Sequence, residues 1–464
     1  MKQFKFAMIF ILLLFFAAVP VQAAVQTQRS NARESGQIVF LLDGSRSMSK
    51  ERWQEALDCV LMVEAMLPSG YQAALAVYNA DVETVVDFGQ SMEEGISGLR
   101  DRKQGGYTDP GAALETALEM LAGDFTGKKY VVFITDGEIS LSKAEETEAA
   151  SVSYQAAIAK AAEQGITVDV LLYETEDIED QVGGSAALTG GGCFYETREK
   201  TAENFGESYL FERLGLERIM LGVSDSPDNL TKIALQDTFA DRVRILLLSE
   251  NGIRDIQVAC QSRRISTVQG GRFAVITLEH PLEDTVELQC ALAEKGRMTA
   301  YLVKEYDLSV SAEASYMPET GCQQILIRVV DSEGKDILED AEIKDAVAIY
   351  IDGEKAPYEV SQGSAVITWF QEDTGEVELD VDFSGLNSRV YCDNAQSSLR
   401  LEAPPEEPPE EPAEDDTPYL WLYVVTAGVC VVFAALLYLL IRSCQKKKKI
   451  PEIKRQRRHI SMRY

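Results

Sequence analysis

The chain contains very little histidine: two residues among 464, His280 and His459. Imidazole is a frequent zinc ligand and the general base of serine and cysteine hydrolase triads. One of the two histidines lies in a basic C-terminal segment, which leaves a single imidazole for the rest of the chain. This scarcity removes most zinc sites and every histidine-based triad from the main body. We therefore expect a protein that is not an enzyme.

Positive charge is also scarce. The chain has 44 lysine and arginine residues against 75 aspartate and glutamate residues, for a formal net charge of −31. Ten of the basic residues lie within residues 442–464, so the remainder is more acidic than the total suggests. Such a surface repels nucleic acid and attracts cations and basic partners. We therefore expect no nucleic-acid partner.

The N-terminus has the pattern of a targeting segment. Two lysines precede the apolar run Phe6–Val19, and the small residues Ala23 and Ala24 follow. This pattern predicts a secretory signal peptide over residues 1–24. An uncleaved N-terminal anchor is the alternative, although the apolar run is short for a membrane span. No cysteine follows the small residues, which excludes a lipoprotein.

The C-terminus has the pattern of a membrane anchor. Tyr419–Ile441 contains no charged residue and is long enough, at roughly 35 Å as a helix, to cross a bilayer. The basic segment 442–464 then predicts a cytoplasmic tail and a single-pass plasma-membrane protein with its ectodomain outside. Two roles are predicted for this tail. In the first it only determines the orientation of the chain in the membrane, and in the second it also contacts anionic lipid or a cytosolic partner. Residues 402–418 are rich in proline and acid and predict an extended stalk.

Six of the eight cysteines lie in the predicted ectodomain. Outside the cytosol cysteines can form disulfides, and six of them allow fifteen pairings. Membership of the same predicted domain favours Cys260–Cys290 and Cys322–Cys392. Cys59 falls on a predicted helix and Cys193 opens a distant edge strand, so we expect a thiol at each of these two positions.

One stretch places three oxygen-bearing side chains at the end of a strand. Ile38–Leu42 is a short continuous apolar run, typical of a strand buried on both faces of a parallel sheet. Asp43, Ser45 and Ser47 follow at alternate positions, so their side chains can point the same way. Open α/β sheets bind ligands at this end of their strands, and Mg²⁺ prefers hard oxygen ligands. The stretch therefore predicts a divalent-cation site.

Two later stretches complete a pattern. Gly105–Gly111 opens a helix and includes the hydroxyl of Thr108, and Tyr130–Thr135 is a second buried-strand run that is followed by Asp136. Together with the first stretch, they resemble the von Willebrand factor type A (VWA) domain and its metal-ion-dependent adhesion site. The resemblance implies that Mg²⁺, or Mn²⁺ or Ca²⁺ in its place, is bound by Asp43, Ser45, Ser47, Thr108 and Asp136.

Four residues in or beside the predicted site have other predicted roles or depart from the family pattern. Arg46 stands where bacterial members of the family often have glycine, but this is not a ligand position. Asp109 and Glu138 are close enough to support the ligands, with solvated loop acids or a turn cap as the alternatives. Thr108 is also predicted to cap the helix that begins near Pro110. By the same resemblance, an acidic side chain of a protein ligand completes the coordination of the metal.

The predicted fold class is α/β: a doubly wound, mostly parallel sheet, followed by two β-sandwiches and one transmembrane helix. After a polar leader at 25–36, buried-strand runs alternate with helical patterns over residues 37–220. One short strand at 82–88 is predicted to pair antiparallel at the edge of the sheet. Short strands separated by turn residues then predict sandwiches at 221–305 and 306–401, immunoglobulin-like only in outline.

The predicted function is that of a cell-surface VWA protein, whose head binds a protein ligand through a divalent cation in adhesion or another protein–protein interaction. The alternative is an envelope assembly or signalling component that couples an extracellular partner to a cytosolic partner through the basic tail. A metal-dependent phosphatase is disfavoured, because Ser45 stands where the second carboxylate of an Asp-x-Asp pattern would be.

Overall fold

The computed structural model describes residues 34–173, 180–196, 205–224, 228–292, 294, 296–370, 375–392, 394–402 and 420–446. The chain divides into two compact units, Met1–Pro404 and Pro405–Tyr464. The predicted signal peptide and almost all of the predicted leader, stalk and cytoplasmic tail lie outside the described residues. These four segments stay predictions.

The N-terminal part of the first unit contains a six-stranded sheet. Its strands are β1 (Gly36–Asp43), β2 (Tyr71–Tyr78), β3 (Val82–Val86), β4 (Lys128–Thr135), β5 (Thr167–Tyr173) and β6 (Cys193–Glu196). The order is β3-β2-β1-β4-β5-β6, and all neighbours are parallel except β2 and β3. Every residue of Ile38–Leu42 is completely buried. The predicted α/β head with one antiparallel edge strand is therefore observed.

Helices cover both faces of this sheet. They are α1 (Lys50–Met66), α2 (Met92–Leu99), α3 (Pro110–Met120) and α4 (Ala144–Glu163), with a 3₁₀ turn at Gly183–Thr189 and a π-helix at Gly206–Arg213. On one face, α1, α2 and the π-helix share a core with Ile38 and Phe40. On the other face, α3 and α4 share a core with Val39 and Leu41. The alternating side chains of β1 thus separate two apolar layers.

The start of α3 corrects one prediction. Asp109, and not Thr108, is the N-cap residue: its side chain accepts a hydrogen bond from the Ala112 N–H at 3.1 Å, and Pro110 occupies the first turn. Aspartate is at least as good a cap as threonine. The Thr108 side chain is therefore not used to cap this helix.

The rest of the first unit is mainly β. Its strands are β7 (Ile219–Ser224), β8 (Asp228–Ala234), β9 (Arg242–Leu248), β10 (Ile253–Ala259), β11 (Ser262–Gln269), β12 (Phe273–Pro281), β13 (Thr285–Leu292), β14 (Met298–Met317), β15 (Cys322–Val330), β16 (Ala348–Ile351), β17 (Glu354–Lys355), β18 (Glu359–Ser361), β19 (Ser364–Trp369), β20 (Glu376–Asp382), β21 (Arg389–Cys392) and β22 (Gln396–Arg400). A short helix, α5 (Ala341–Ala346), and a 3₁₀ turn at Ser384–Leu386 interrupt them. One sheet has the order β11-β12-β9-β14-β15-β19-β18, with β7 and β21 also paired to β14; the others are β10-β13-β8 and β17-β16-β20-β22.

The long strand β14 crosses the predicted boundary between the two sandwiches. Its residues Thr299–Glu305 pair with β9, and its residues Ser309–Met317 pair with β15. The boundary at 305/306 therefore lies inside a continuous strand of 20 residues. One cluster of buried apolar residues extends from Ile233 to Leu401. The two predicted regions share a sheet and a core, and an immunoglobulin-like topology is not shown.

The head packs against the face of this large sheet. Leu246, Leu248 and Phe273 belong to the same buried cluster as the apolar face of α1. At the rim, Arg272 pairs with Glu55 at 2.9 Å. The contact therefore combines an apolar centre with a charged edge, and the head and the β region form one compact unit.

The cysteines do not form the predicted disulfides. No disulfide joins any of the cysteines that the structure describes: Cys59, Cys193, Cys260, Cys290, Cys322, Cys392 and Cys430. Cys392 lies opposite Leu308 of β14, whereas Cys322 lies opposite Met317 of the same strand. These two positions are about 30 Å apart along a strand, and a disulfide requires Cα atoms within about 7 Å. The predicted Cys322–Cys392 bond is therefore wrong.

The second predicted disulfide fails for the same reason. In the β10–β13 pair, Ala259 lies opposite Glu287, so Cys260 is displaced along the ladder from Cys290. The offset is about 13 Å, which again exceeds the reach of a disulfide. For Cys59 and Cys193, the two cysteines of the head, the sequence predicts no bond between them, and the described residues show no disulfide at either position.

The second unit contains the 27-residue helix α6 (Leu420–Lys446), which covers most of the predicted span at 419–441. Within the part of the chain that the structure describes, no helix has the length and hydropathy that a membrane crossing requires. The predicted transmembrane helix is not confirmed, and the plasma-membrane location stays a prediction.

Candidate metal centre

The loop after β1 turns the first three predicted ligands toward one another. Asp43 is the last residue of β1 and is completely buried. Its Oδ1 accepts a hydrogen bond from the Ser45 N–H at 2.8 Å, which is the bond of an Asx turn. The turn brings the hydroxyls of Ser45 and Ser47 to 3.0 Å from each other. Three oxygen-bearing side chains therefore converge within five residues.

The loop before α3 brings the fourth predicted ligand. Thr108 is buried and forms an antiparallel bridge with Ser140, with N–H to carbonyl distances of 2.6 and 3.1 Å. The Gly105 N–H donates to the Gly44 carbonyl at 2.8 Å and holds this loop beside the first one. A cleft of about 340 Å³ opens between the loops and is lined by Ser45, Arg46, Ser47, Gly106, Tyr107, Thr108, Glu138 and Ser140.

Asp136 follows β4 and adds the fifth predicted ligand. Its side chain is 2% exposed, and its Oδ1 accepts a long hydrogen bond of 3.4 Å from the Glu138 N–H. Its Oδ2 is buried and has no hydrogen-bond partner among the described residues. A buried carboxylate oxygen without a partner is costly in the absence of a cation.

The two carboxylates of this site repel each other. Burial, and then the charge of Asp136, raise the pKa of Asp43 to about 7, against hydrogen bonds from Ser45 and Thr135 that lower it. The Thr135 hydroxyl donates to Asp43 Oδ2 at 2.7 Å and fixes the orientation of that carboxylate. Within the described residues, neither carboxylate forms an ion pair. The pair therefore carries a local negative charge that a bound cation would neutralise.

The residues present fit a hard divalent cation. The candidate donors are two carboxylates and three hydroxyls, which are all oxygen ligands of the kind that Mg²⁺, Mn²⁺ and Ca²⁺ accept. Across the described parts of the chain, no group of three or more histidine, cysteine, aspartate or glutamate side chains is arranged to hold a metal ion. The candidate centre contains only two such side chains, and its other donors are hydroxyls.

The residues around the predicted ligands divide into several roles. Arg46 is exposed at the cleft. Glu138 lines the cleft, whereas Asp109 caps α3. Thr135 was missed by the sequence reasoning, although a hydroxyl residue at the end of a buried strand, directly before a predicted aspartate ligand, was a signal that could have identified it.

Comparison with known proteins identifies one domain. The family model of the von Willebrand factor type A domain matches residues 37–205, which is less than half of the chain. No curated protein matches the chain. Among solved structures, the chain is similar to the conserved hypothetical protein BatB from Bacteroides thetaiotaomicron, with 17% identity over 39% of this chain and 99% of that chain, and a TM-score of 0.31.

Two further solved structures are similar at a comparable level. The von Willebrand factor domain of the type V pili tip protein Mfa5 from Porphyromonas gingivalis has 14% identity over 39% of this chain and 96% of that chain, with a TM-score of 0.31. Proximal thread matrix protein 1 from the mussel byssus, with a zinc-occupied MIDAS motif, has 17% identity over 41% and 50% of the two chains, with a TM-score of 0.30. Similarities of this size carry no functional argument.

The family match and the sheet agree over the same part of the chain. The matched residues contain nearly all of the six-stranded sheet, the helices α1–α4 on its two faces and the loops that form the cleft. Residues 37–205 of this chain are therefore a von Willebrand factor type A domain.

Proposed function

We propose that the head binds a protein ligand through a divalent cation held by Asp43, Ser45, Ser47, Thr108 and Asp136. VWA domains are generally modules of protein–protein interaction or adhesion. One observation carries the proposal: two buried carboxylates lie close enough for the charge of Asp136 to raise the pKa of Asp43, neither has a cationic partner among the described residues, and Asp136 Oδ2 accepts no hydrogen bond there. The hydroxyl residues Ser45, Ser47 and Thr108 line the cleft.

Some groups at the site supply negative charge for the cation, and others hold the carboxylate of Asp43 in position. Asp43 and Asp136 supply the negative charge that attracts the cation, and the Ser45 N–H and the Thr135 hydroxyl hold Asp43 in place. The hydroxyl ligands are neutral, so a divalent ion there keeps electrophilic character and accepts a carboxylate from a partner. The cleft lined by Ser45, Ser47 and Thr108 would give such a partner access to the metal.

The charge of the chain restricts the partner. With a net charge of −31, the protein repels an acidic partner at long range, although salt screens this repulsion beyond about 8 Å. Arg46 is exposed at the cleft and favours a carboxylate at short range. The partner that fits is a protein that presents one carboxylate within an otherwise basic surface.

Metal titration of the purified full chain tests the proposal. Isothermal titration with Mg²⁺, Mn²⁺ and Ca²⁺ should show one site, and Asp43→Ala should abolish the binding. The matched control is Asp101→Ala, which removes an exposed aspartate in the loop after α2 and should leave the binding unchanged. Metal binding of the same affinity in Asp43→Ala would contradict the proposal.

Although no described helix meets the length and hydropathy required of a membrane crossing, we also propose, from the sequence of residues 419–441, that this segment anchors the chain in the plasma membrane, with the head outside. In support, residues 424–439 of α6 carry no charge and are exposed, and the sequence that follows is strongly basic. Membrane fractionation and protease treatment of whole cells test this arrangement. Recovery of the full chain in the soluble fraction would contradict it.

The alternative function, assembly or signalling through the basic tail, is favoured by the ten basic residues within 442–464. Deletion of residues 443–464 separates the two functions. Loss of the cellular phenotype with intact ligand binding at the head supports coupling through the tail, whereas an unchanged phenotype contradicts it.

A further inference from the structure

A lysine and an aspartate face each other in the core of the β region. Lys304 lies on β14, Asp237 lies between β8 and β9, and their Nζ and Oδ2 atoms are 2.6 Å apart. The two side chains are only 3% and 4% exposed. The Tyr306 hydroxyl donates to the same Oδ2 at 2.7 Å and lies 3.3 Å from Lys304 Nζ. The Phe239 N–H donates to Asp237 Oδ1 at 3.0 Å.

Burial changes the chemistry open to this pair. In a protein interior, the cost of removing two charges from water offsets most of their attraction. Moving one proton from the ammonium to the carboxylate leaves a neutral amine beside a neutral carboxylic acid, and neither charge then has to be buried. These two groups are the reactants of an amide condensation, and the fold holds them in contact.

We propose that Lys304 and Asp237 become joined by an intramolecular isopeptide bond, with the release of one water molecule. Nζ attacks the carboxyl carbon of Asp237, and the C–N bond forms. The bond from that carbon to Oδ2 breaks, and the two protons lost by the lysine nitrogen leave with Oδ2 as water. No electron is transferred to or from another molecule, so the step requires neither an oxidant nor a co-reactant.

The two neighbouring groups are placed to assist this step. Negative charge develops on Asp237 Oδ1 during the attack, and the Phe239 N–H already points at that oxygen. Tyr306 contacts both the nitrogen that loses protons and the oxygen that receives them. Burial, and then the charge of Asp237, raise the pKa of Tyr306, so its hydroxyl keeps a proton and can pass protons on.

An exposed ion pair of the same region provides a natural contrast. Lys232 and Glu287 also approach to 2.7 Å, but their side chains are 69% and 45% exposed. Water stabilises both of these charges, so the amine stays protonated and cannot attack. The distance between the lysine nitrogen and the carboxylate oxygen is nearly the same in the two pairs, at 2.6 and 2.7 Å. The proposed bond therefore depends on burial and on the two assisting groups.

Peptide mapping of the full chain tests the proposal. The protein is unfolded, digested with trypsin and analysed by tandem mass spectrometry. We expect the segments Ile233–Arg242 and Met298–Arg328 as one linked species, lighter than their sum by one water and uncut at Lys304. The Lys232–Glu287 pair should be recovered without a link in the same digest. Recovery of the two segments only as separate peptides, with cleavage at Lys304, would overturn the proposal.

Three variants test the assigned roles. Lys304→Arg keeps the positive charge but should abolish the linked species. Asp237→Asn should give a linked product of the same mass as that of the unsubstituted chain, because ammonia leaves in place of water. Tyr306→Phe should slow the appearance of the link after refolding, whereas an unchanged rate would refute the proton relay. The digest of the unsubstituted chain decides the main question even where a variant fails to fold.

Discussion

The buried pair Arg244–Glu305 should determine how firmly the head is held to the β region. Nη1 of Arg244 lies 2.6 Å from Oε1 of Glu305, and both side chains are 3% exposed. The pair also reaches the turn that follows α1. Arg244 donates to the Leu67 carbonyl at 2.7 Å, and the Ser69 hydroxyl donates to Glu305 Oε2 at 2.8 Å. Strands β9 and β14 are thereby joined to the head by charged hydrogen bonds.

The substitution Arg244→Met tests this contact, because it removes the cation and keeps an unbranched apolar stem in its place. Glu305 then keeps only the more distant Arg242, 4.0 Å from its Oε2, as a cationic partner, and breaking a buried pair in this way costs about 3–5 kcal/mol. The Leu67 carbonyl loses its donor as well, at about 1–3 kcal/mol. A typical domain has a free energy of unfolding of about 5–15 kcal/mol, so we expect a large loss of stability.

Urea unfolding of the full chain at pH 7 measures this loss, with tryptophan fluorescence and far-UV circular dichroism as probes. The double variant Arg244→Met/Glu305→Met leaves no lone buried charge, so it should be less destabilised than the sum of the two single variants. The matched control is Arg102→Met. It breaks the exposed pair with Glu83, at a similar distance of 2.7 Å, and should cost under about 1 kcal/mol.

The stability that the Arg244–Glu305 pair contributes should decrease at low pH. Burial raises the pKa of Glu305, but the charge and hydrogen bond of Arg244, together with Ser69, outweigh it and hold that pKa below its usual 4.5. When the pKa of an acid is lower in the folded than in the unfolded protein, the charged group stabilises the folded state at every pH above its unfolded pKa. This stabilisation is lost as the pH falls through the folded-state pKa. The difference between the unsubstituted chain and Arg244→Met should therefore shrink below about pH 4.5. A loss under about 1 kcal/mol at pH 7, or strictly additive variants, would refute the reasoning.

Two further predictions concern the metal centre and the cysteines. Thr135→Val removes the hydrogen bond to Asp43 Oδ2 and should lower divalent-cation affinity about 10- to 100-fold in isothermal titration; an affinity equal to that of the unsubstituted chain would show that Thr135 does not orient Asp43. Cys260, Cys290 and Cys322 should all react with a maleimide in denaturant without reductant, and their protection until a reductant is added would indicate disulfides that the structure does not contain.

The head could be predicted largely from its sequence, because each of its signals is local. The continuous apolar runs at β1 and β4 indicate strands buried on both faces, and the residues at their carboxyl ends then share one edge of the sheet. Helix α2 was missed because it has only eight residues and contains two glycines, which leaves a weak periodic pattern. The sequence does not decide between Thr108 and its neighbour Asp109 as the N-cap of α3, because threonine and aspartate are both good caps.

The β region was harder to predict, because its organisation depends on distant pairs. The second half of β14, Ser309–Met317, consists mostly of small and polar residues, and only Val310 in it is buried. It therefore gives no strong apolar signal in the sequence. Its partners β9 and β15 lie on opposite sides of it in sequence. The disulfides failed for a related reason: the pairing of cysteines depends on strand register, which sequence spacing does not determine.

The continuity of β14 has a mechanical consequence. Because this strand exchanges backbone hydrogen bonds with β9 along one half and with β15 along the other, the β region has no linker at 305/306 that could stretch or bend. Tension between the head side and the far side of the region would load those two ladders in shear, so many hydrogen bonds would have to break together. A force applied by a ligand at the cleft would therefore act on a β region that does not bend at residues 305/306.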